Sequence, residues 1–440
     1  MKILTTIGPS SDGKNLKYFV EHSDLLRLNL SHNLISWHKK ILNKIKKIDS
    51  SKLVLLDIPG IKPRTLNDKP IKILKGRRYS FCFQKRINNK NFISISNPIP
   101  EIKKKPKSFF LSDGTYEFKK LEFKKNIISG VATESFILKE KKGLNIPFSI
   151  YNDKTQEKLY YKSLKKIKGM QVDCIGLSFI QNAKILRNLK KKYPNFFYIS
   201  KIENFMGYEK RIEIIKNSDA IMIDRGDLAA EVGLNKLSIY IDNILEECKK
   251  NFKPCIIATE NFNSLITGSL PSKSDIINLE HYISKKADYI MLSDETATSK
   301  NGKNTVRWIR NYLKSKTLKV KDQPVNFYGI IKSLKNQILI IFSKKGYFYE
   351  KLKDHNLKKI ILFTQNKKLT KLVKLKSNVE GIFVKFPKKF LYSFLKENIK
   401  KNKEMIFKNN DNVYLINVMF PRKNSRANTI SILNKKDFNY

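Results

Sequence analysis

Acidic side chains are scarce in this chain: 39 Asp and Glu stand against 88 Lys and Arg, a formal charge of +49 over 440 residues. Taken alone, that balance points to nucleic acid or an anionic membrane as a partner. The lysines, however, are scattered as KK and KKK between apolar runs rather than gathered into one tail or helix face. Such dispersal fits solvated surfaces better than a binding stripe, so no specific nucleic-acid partner is expected. Anionic substrates would still be drawn to the surplus charge. Cysteine is sparse as well. Cys82, Cys174, Cys248 and Cys255 show no CxxC spacing, which excludes the common zinc and dithiol motifs and suits a reducing compartment. No apolar run approaches the ~18 residues of a membrane span, and MKILTTIG lacks the apolar core of a secretory leader. The expected setting is the cytoplasm, with no membrane partner.

Apolar residues make up 41% of the chain and aromatic residues 11%, enough to build cores and exclude wholesale disorder. Short runs rich in Ile, Val, Leu and Phe recur at Ile3–Ile7, Leu25–Leu30, Leu53–Ile58, Cys174–Ile180, Phe197–Ile202, Ala220–Ile223, Cys255–Ala258 and Tyr289–Leu292. They suit parallel strands buried on both faces. Helix-like periodicity fills intervals such as Asn235–Lys250 and Asp275–Lys286. Eight strand–helix units in series predict an α/β fold, a (β/α)8 TIM barrel.

Residues 65–144 break this rhythm. Their period-two alternation, with DG and SG as turn signals, predicts a small β-barrel lid domain inserted after the third strand. The barrel would then comprise residues 1–64 and 145–318, with a C-terminal α/β domain over 319–440. The segment Lys319–Val325 (KVKDQPV) reads as the linker.

In such barrels the chemistry gathers where strands end and loops begin. The second run ends in Arg27, Asn29, Ser31 and His32, and the third in Asp57, followed by Arg64. The fifth supplies Lys201 and Glu203, the sixth Gly226 and Asp227, the seventh Thr259, and the eighth Ser293 and Glu295. Two carboxylates from neighbouring strands, Glu203 and Asp227, match the needs of a hard divalent cation such as Mg²⁺. Lys201 alternates with Glu203, so an ammonium would sit beside that cation, the clamp that phosphoryl transfer requires. Blander roles compete: an ion-pair network for Glu203 and Asp227, a helix cap for Thr259, and turn positions for His32 and for Asp113 in Ser-Asp-Gly.

The stretch KIENFMGYEKRIEIIKNSDAIMIDRGDLAAEVG resembles the central signature of pyruvate kinases. TIGPSS, LLRLNLSHN, LLDIPGIKPRT, LSDGTYEF, KKGLNIPF, KPCIIATENFNSLI and ADYIMLSDETATSKNGKNTV extend the resemblance in order, and MFPRKNSRANTISIL resembles the family's last strand pair. The resemblance implies transfer of phosphate from phosphoenolpyruvate to ADP, giving pyruvate and ATP, and a homotetramer. Glu203 and Asp227 would hold Mg²⁺ or Mn²⁺, while Lys201 and Arg27 would contact the transferring phosphate. Gly226 and Asp227 would hold the substrate carboxylate. Thr259, with Ser293 and Glu295, would organise the proton that quenches the enolate. Asn29, His32, Arg64, Asp113 and Lys142 resemble nucleotide-side contacts.

Several positions depart from the family pattern. The monovalent-ion site of the family corresponds to Asn29, Ser31, Asp57 and Ile58. Lys62 stands where potassium-dependent members carry glutamate, which implies activity without K⁺. Asp224 and Asp294 replace small residues, and Glu260, Asn261, Gln181 and Lys273 also differ. Extra negative charge beside an anion site weakens it unless each carboxylate is paired or turned away. Beside an active enzyme stands a weakened paralogue that binds phosphoenolpyruvate or nucleotide as a sensor or partner, and the charge of +49 alone motivates a third reading, a polyanion binder on a borrowed barrel.

Overall fold

A computed structural model of the chain describes residues 1–83, 91–124, 126–316, 331, 334–352, 357–388, 392–408, 412–417 and 429–438. Residues Met1–Arg310 form one compact unit and Asn311–Tyr440 another.

The first unit is built on eight strands: β1 (Lys2–Thr6), β2 (Leu25–Asn29), β3 (Val54–Ile58), β4 (Cys174–Leu177), β5 (Phe197–Ile202), β6 (Ala220–Asp224), β7 (Cys255–Ala258) and β8 (Tyr289–Leu292). All neighbours are parallel, and β1 pairs with both β2 and β8 to close the barrel. The (β/α)8 barrel expected from the spacing of the apolar runs is the fold found. Its strands are buried almost throughout, which is why their sequences read as continuous apolar runs rather than alternations. One run is cut short. Cys174–Ile180 leaves the sheet after Leu177 because Phe179 takes a left-handed backbone, φ 60°, and its freed amide turns to the site described below.

Some of the intervening helices start on side-chain caps that the sequence supplies. Asn152 accepts from the Thr155 amide ahead of Asp153–Lys166, and Ser272 with Asp275 forms a capping box on Lys273–Ser284. Lysines occupy their last turns: Lys46 and Lys47 in Ile35–Ile48, and Lys190, Lys191 and Lys192 in Ala183–Lys192. Part of the surplus positive charge thus meets the negative ends of helix dipoles.

Between β3 and β4 lies the predicted β insertion. Six strands run in the order Leu144–Asn145, Phe109–Leu111, Tyr116–Lys124, Ile127–Ala132, Arg78–Cys82 and Phe92–Ser94. Two short pairs accompany them, Phe136–Leu138 with Ile71–Ile73 and Ser149–Ile150 with Glu101–Ile102. One core unites these pieces, with Phe81, Phe109 and Phe118 fully buried at its centre. The DG signal marks a turn, with Ser112, Asp113 and Gly114 at positive φ. The SG signal does not. Ser129 and Gly130 lie inside a strand, at an irregularity in its register. A Cβ on Gly130 would stand 2.8 Å from the Phe109 ring, so the glycine serves packing rather than chain reversal.

The second unit is an α/β sheet in the order Val379–Phe383, Lys359–Thr364, Ile338–Phe342, Asn412–Asn417, Thr429–Asn434, parallel except for the last pair. The expected linker Lys319–Val325 and residues 418–428 lie outside the described residues.

Candidate active site

Three strand ends converge on one ammonium. Lys201 of β5 lies 3.0 Å from Glu203 Oε2, 3.2 Å from Asp224 Oδ2 and 3.6 Å from Asp57 Oδ2, with Ser178 Oγ at 3.3 Å. Burial by itself would lower the affinity of Lys201 for its proton, but Asp57, Glu203 and Asp224 more than reverse this and keep it charged. Asp57 of β3 takes both Nε and a terminal nitrogen of Arg27 at 2.8 Å, while Ser178 Oγ donates to its other oxygen at 3.2 Å. Burial would raise the Asp57 carboxyl, yet Lys201 and Arg27 hold it below the usual range. Arg27 also reaches Thr6 Oγ1 on β1 at 3.2 Å. A side chain at Gly176 would press on Asp57, its Cβ falling 3.0 Å from Oδ1.

Glu203 is wholly buried. Its Oε1 accepts from the Phe179 amide at 2.6 Å, and this contact explains the left-handed turn there. Oε2 has no hydrogen bond despite its ion pair with Lys201. Burial lifts this carboxyl well above its usual range, Lys201 offsets part of that, and Asp224 and Asp227 add to it. Asp227 opens the helix Arg225–Val232 and accepts from Asn145 Nδ2 at 2.9 Å. Its Oδ1 also takes Lys62 Nζ, which donates to Asp113 Oδ1 at 2.7 Å. Burial raises the Asp227 carboxyl and Lys62 opposes the rise. The lid and the barrel therefore share a buried lysine. It fits because Gly143 has no side chain: a Cβ there would lie 2.4 Å from Lys62 Cε.

Thr259 follows β7 with φ 62°. Its Oγ1 accepts from the Gly226 amide at 3.0 Å and can donate to Asp224 Oδ1 at 3.1 Å or to the Ala258 carbonyl at 2.7 Å. The cap reading was thus half right: Thr259 satisfies an amide in the first turn of Arg225–Val232, not of the helix that follows Thr259. Arg225 braces this corner by donating to the Thr259 carbonyl, to Asn261 Oδ1 at 2.8 Å and to Tyr282. Glu295 closes back on the Ser293 amide at 2.6 Å. Burial pushes its carboxyl up to about 7 against the hydrogen bonds from its own and the Ser293 amides.

The remaining sequence candidates lie further out. Asn29 accepts from the Ser31 amide at 3.0 Å, and Ser31 and His32 are exposed. The His32 amide donates to the Asn29 carbonyl at 3.1 Å, so the turn reading of His32 holds for its backbone, and its carbonyl accepts from His38. Arg64 is exposed, and its strand segment pairs with Gly143 beside Lys142. The Ile58 carbonyl accepts from the Ser178 amide at 3.2 Å. Lys62 bonds to Asp113 and Asp227 rather than to Asn29, Ser31 or Asp57. The reason is local charge: Asp57 already faces Arg27 and Lys201, whereas among the described residues Asp227 forms an ion pair with Lys62 alone.

Two departures are resolved by geometry. Asp294 is exposed in the first turn of Asp294–Ala297, turned away from the buried cluster. Asp224 is instead paired, with Lys201 and Thr259. Sequence reasoning missed that Asp224 joins Glu203 and Asp227, one oxygen of each lying within 4.8 Å of the others. It also missed Ser178 and Asn145. The signal for Asn145 was a polar residue held between apolar neighbours in GLNIP.

A family model for the pyruvate kinase barrel domain matches residues 1–306. The chain belongs to the pyruvate kinase family. A pyruvate kinase of Buchnera aphidicola subsp. Schizaphis graminum is 31% identical over 327 residues, 69% of this chain and 67% of that protein. That of Thermotoga maritima is 24% identical over 468 positions, 98% of each chain. The Thermococcus litoralis pyruvate kinase is 28% identical over 312 residues, and the match spans 68% of this chain and 66% of that protein. A solved pyruvate kinase of Cryptosporidium parvum shares the fold, with a TM-score of 0.79 at 22% identity over 98% of this chain and 95% of that one. Among the described residues no helix is long and apolar enough to cross a membrane.

Proposed function

We propose that the chain transfers the phosphoryl group of phosphoenolpyruvate to ADP, giving pyruvate and ATP. The observation that carries this reading is the buried ammonium of Lys201, gripped by strand-end carboxylates with Arg27 one carboxylate away. In the reaction the bond between phosphorus and the enol oxygen breaks, a bond from phosphorus to an ADP phosphate oxygen forms, and the enolate carbon takes a proton. Little covalent chemistry falls to the protein, whose contribution is placement and charge.

Glu203 and Asp227 fit a Mg²⁺ ion. A wholly buried carboxylate oxygen without a hydrogen bond, in a cluster whose burial favours the protonated acids, is what a divalent cation would stabilise. Such an ion supplies charge neutralisation for the substrate oxygens. The chain's own groups do the rest. Lys201 and Arg27 are pre-set to meet the charge on the phosphoryl oxygens. The Asp227 amide, at a helix start, suits a carboxylate, and the Gly226 amide would join it on leaving Thr259 Oγ1. Thr259 Oγ1 and Glu295 would hold the proton for the enolate carbon, with Ser293 orienting Glu295. Asn29, His32, Arg64, Asp113 and Lys142 would face the nucleotide, the last two from the lid.

A coupled pyruvate assay with Mg²⁺ and ADP tests this beside Lys201→Met. The variant is expected to lose at least about 10²-fold in kcat, the scale for removing one charged stabiliser. Equal rates for the two proteins would overturn the reading. Lys62 pairs with Asp113 and Asp227 and not with Asn29, Ser31 or Asp57, so the expectation of K⁺ independence rests on the lysine-for-glutamate departure alone: the rate should persist with tetramethylammonium in place of K⁺ at constant ionic strength.

A further inference from the structure

We infer that Asp224 supplies a third carboxylate to the divalent-cation site, so that this chain holds its cation, before substrate arrives, more tightly than Glu203 and Asp227 alone would. The inference rests on the proposed reaction for the site's purpose, but cation uptake can be measured with no substrate present. Three observations support it. First, Glu203, Asp224 and Asp227 each bring one oxygen within 4.8 Å of the others. Second, Glu203 Oε2 is buried within this cluster with no hydrogen bond, an acceptor whose only polar neighbour in the ion pairs is Lys201. Third, the ion pairs around the cluster join five carboxylates (Asp57, Asp113, Glu203, Asp224, Asp227) to only three cations (Arg27, Lys62, Lys201).

Asp224 has a plainer role available, as counter-ion to Lys201 and acceptor for Thr259. Those contacts hold its carboxylate across the cluster rather than toward solvent, since the residue is only 7% exposed. A hard octahedral cation held by two carboxylates depends on water and substrate for its other positions. A third carboxylate lessens that dependence and adds attraction at short range.

The test is a titration of the full-length protein with Mn²⁺, without phosphoenolpyruvate or nucleotide, following free Mn²⁺ by electron paramagnetic resonance. Wild type is expected to bind one ion, and Asp224→Asn and Asp224→Ala to bind it at least tenfold more weakly. Variant affinities within twofold of wild type would leave Asp224 as a counter-ion only and overturn the inference. So would a wild type that binds no Mn²⁺ until substrate is added, an outcome that leaves the phosphoryl-transfer reading to stand or fall on the Lys201→Met assay. If neither variant folds, water proton relaxation of the wild-type Mn²⁺ complex decides. An octahedral ion held by three carboxylates keeps about three waters or fewer, and four or more would overturn the inference.

Discussion

Glu295 is a carboxylic acid kept almost wholly from solvent, and its raised affinity for a proton is a statement about stability. Its ordinary value is 4.5 and its folded value about 7. Between those values the folded state holds a proton that the unfolded state has released, so stability falls as pH rises through that window. The cost is fully present above pH 7 and amounts to up to about 3 kcal/mol. Glu295→Gln keeps an acceptor for the Ser293 amide but cannot ionise. In urea unfolding, the variant is expected to gain on wild type from pH 4.5 to 7.5. A constant gap across that range would contradict the burial argument. At this scale much of the site was legible in the sequence. Lys201 and Glu203 could be read because strand periodicity puts alternate residues on one face. Asp224 could not, since its partners Lys201 and Thr259 come from neighbouring strands. Lys62 was visible as an odd lysine, but its partner Asp113 arrives from the lid.

Beyond the pairing of β1 with β8, the loop after β1 also meets the segment after β8. The Ser10 amide and hydroxyl donate to the carbonyls of Ala297 and Thr298 at 3.0 and 2.6 Å, and Thr296 Oγ1 donates to the Thr6 carbonyl at 2.9 Å. Gly8 makes this approach feasible, for a Cβ there would stand 2.6 Å from the Ala297 carbonyl oxygen. Gly8→Ala is expected to cost about 2 kcal/mol or more by forcing backbone apart. Gly13, at φ 66° with open space around it, provides the comparison: Gly13→Ala carries only the left-handed strain of about 1 kcal/mol. Equal losses for both in urea unfolding would show that the seam yields. Element types were largely readable, because both-face burial and helix capping leave strong local marks. The SG step was not, since only the Phe109 ring across the sheet explains it.

For the whole molecule the dominant fact remains a charge of +49. Lysines at helix ends and in ion pairs absorb a little of it, and the remainder repels itself across the surface. Screening should therefore help the folded state. Tm is expected to rise by about 2–6 °C between 10 mM and 500 mM NaCl, as the Debye length shrinks from about 30 Å to a few ångströms. A flat or falling Tm would mean that specific ion pairs outweigh the diffuse repulsion. The barrel and the second α/β unit were evident from run spacing alone. What the distributed charge does for the molecule was not, because a count of lysines holds no information on their neighbours.

The closed ring of strands also sets a timetable for synthesis. β1 finds its partner β2 early, but its other edge is complemented only by β8, which begins at Tyr289. At translation rates of about 5–20 residues per second, that edge waits roughly 15–60 s on the nascent chain. Throughout that interval Lys2–Thr6 presents unpaired backbone groups to any passing strand. The ribosome-bound chain, rather than the finished barrel, is where this fold is most exposed to aggregation.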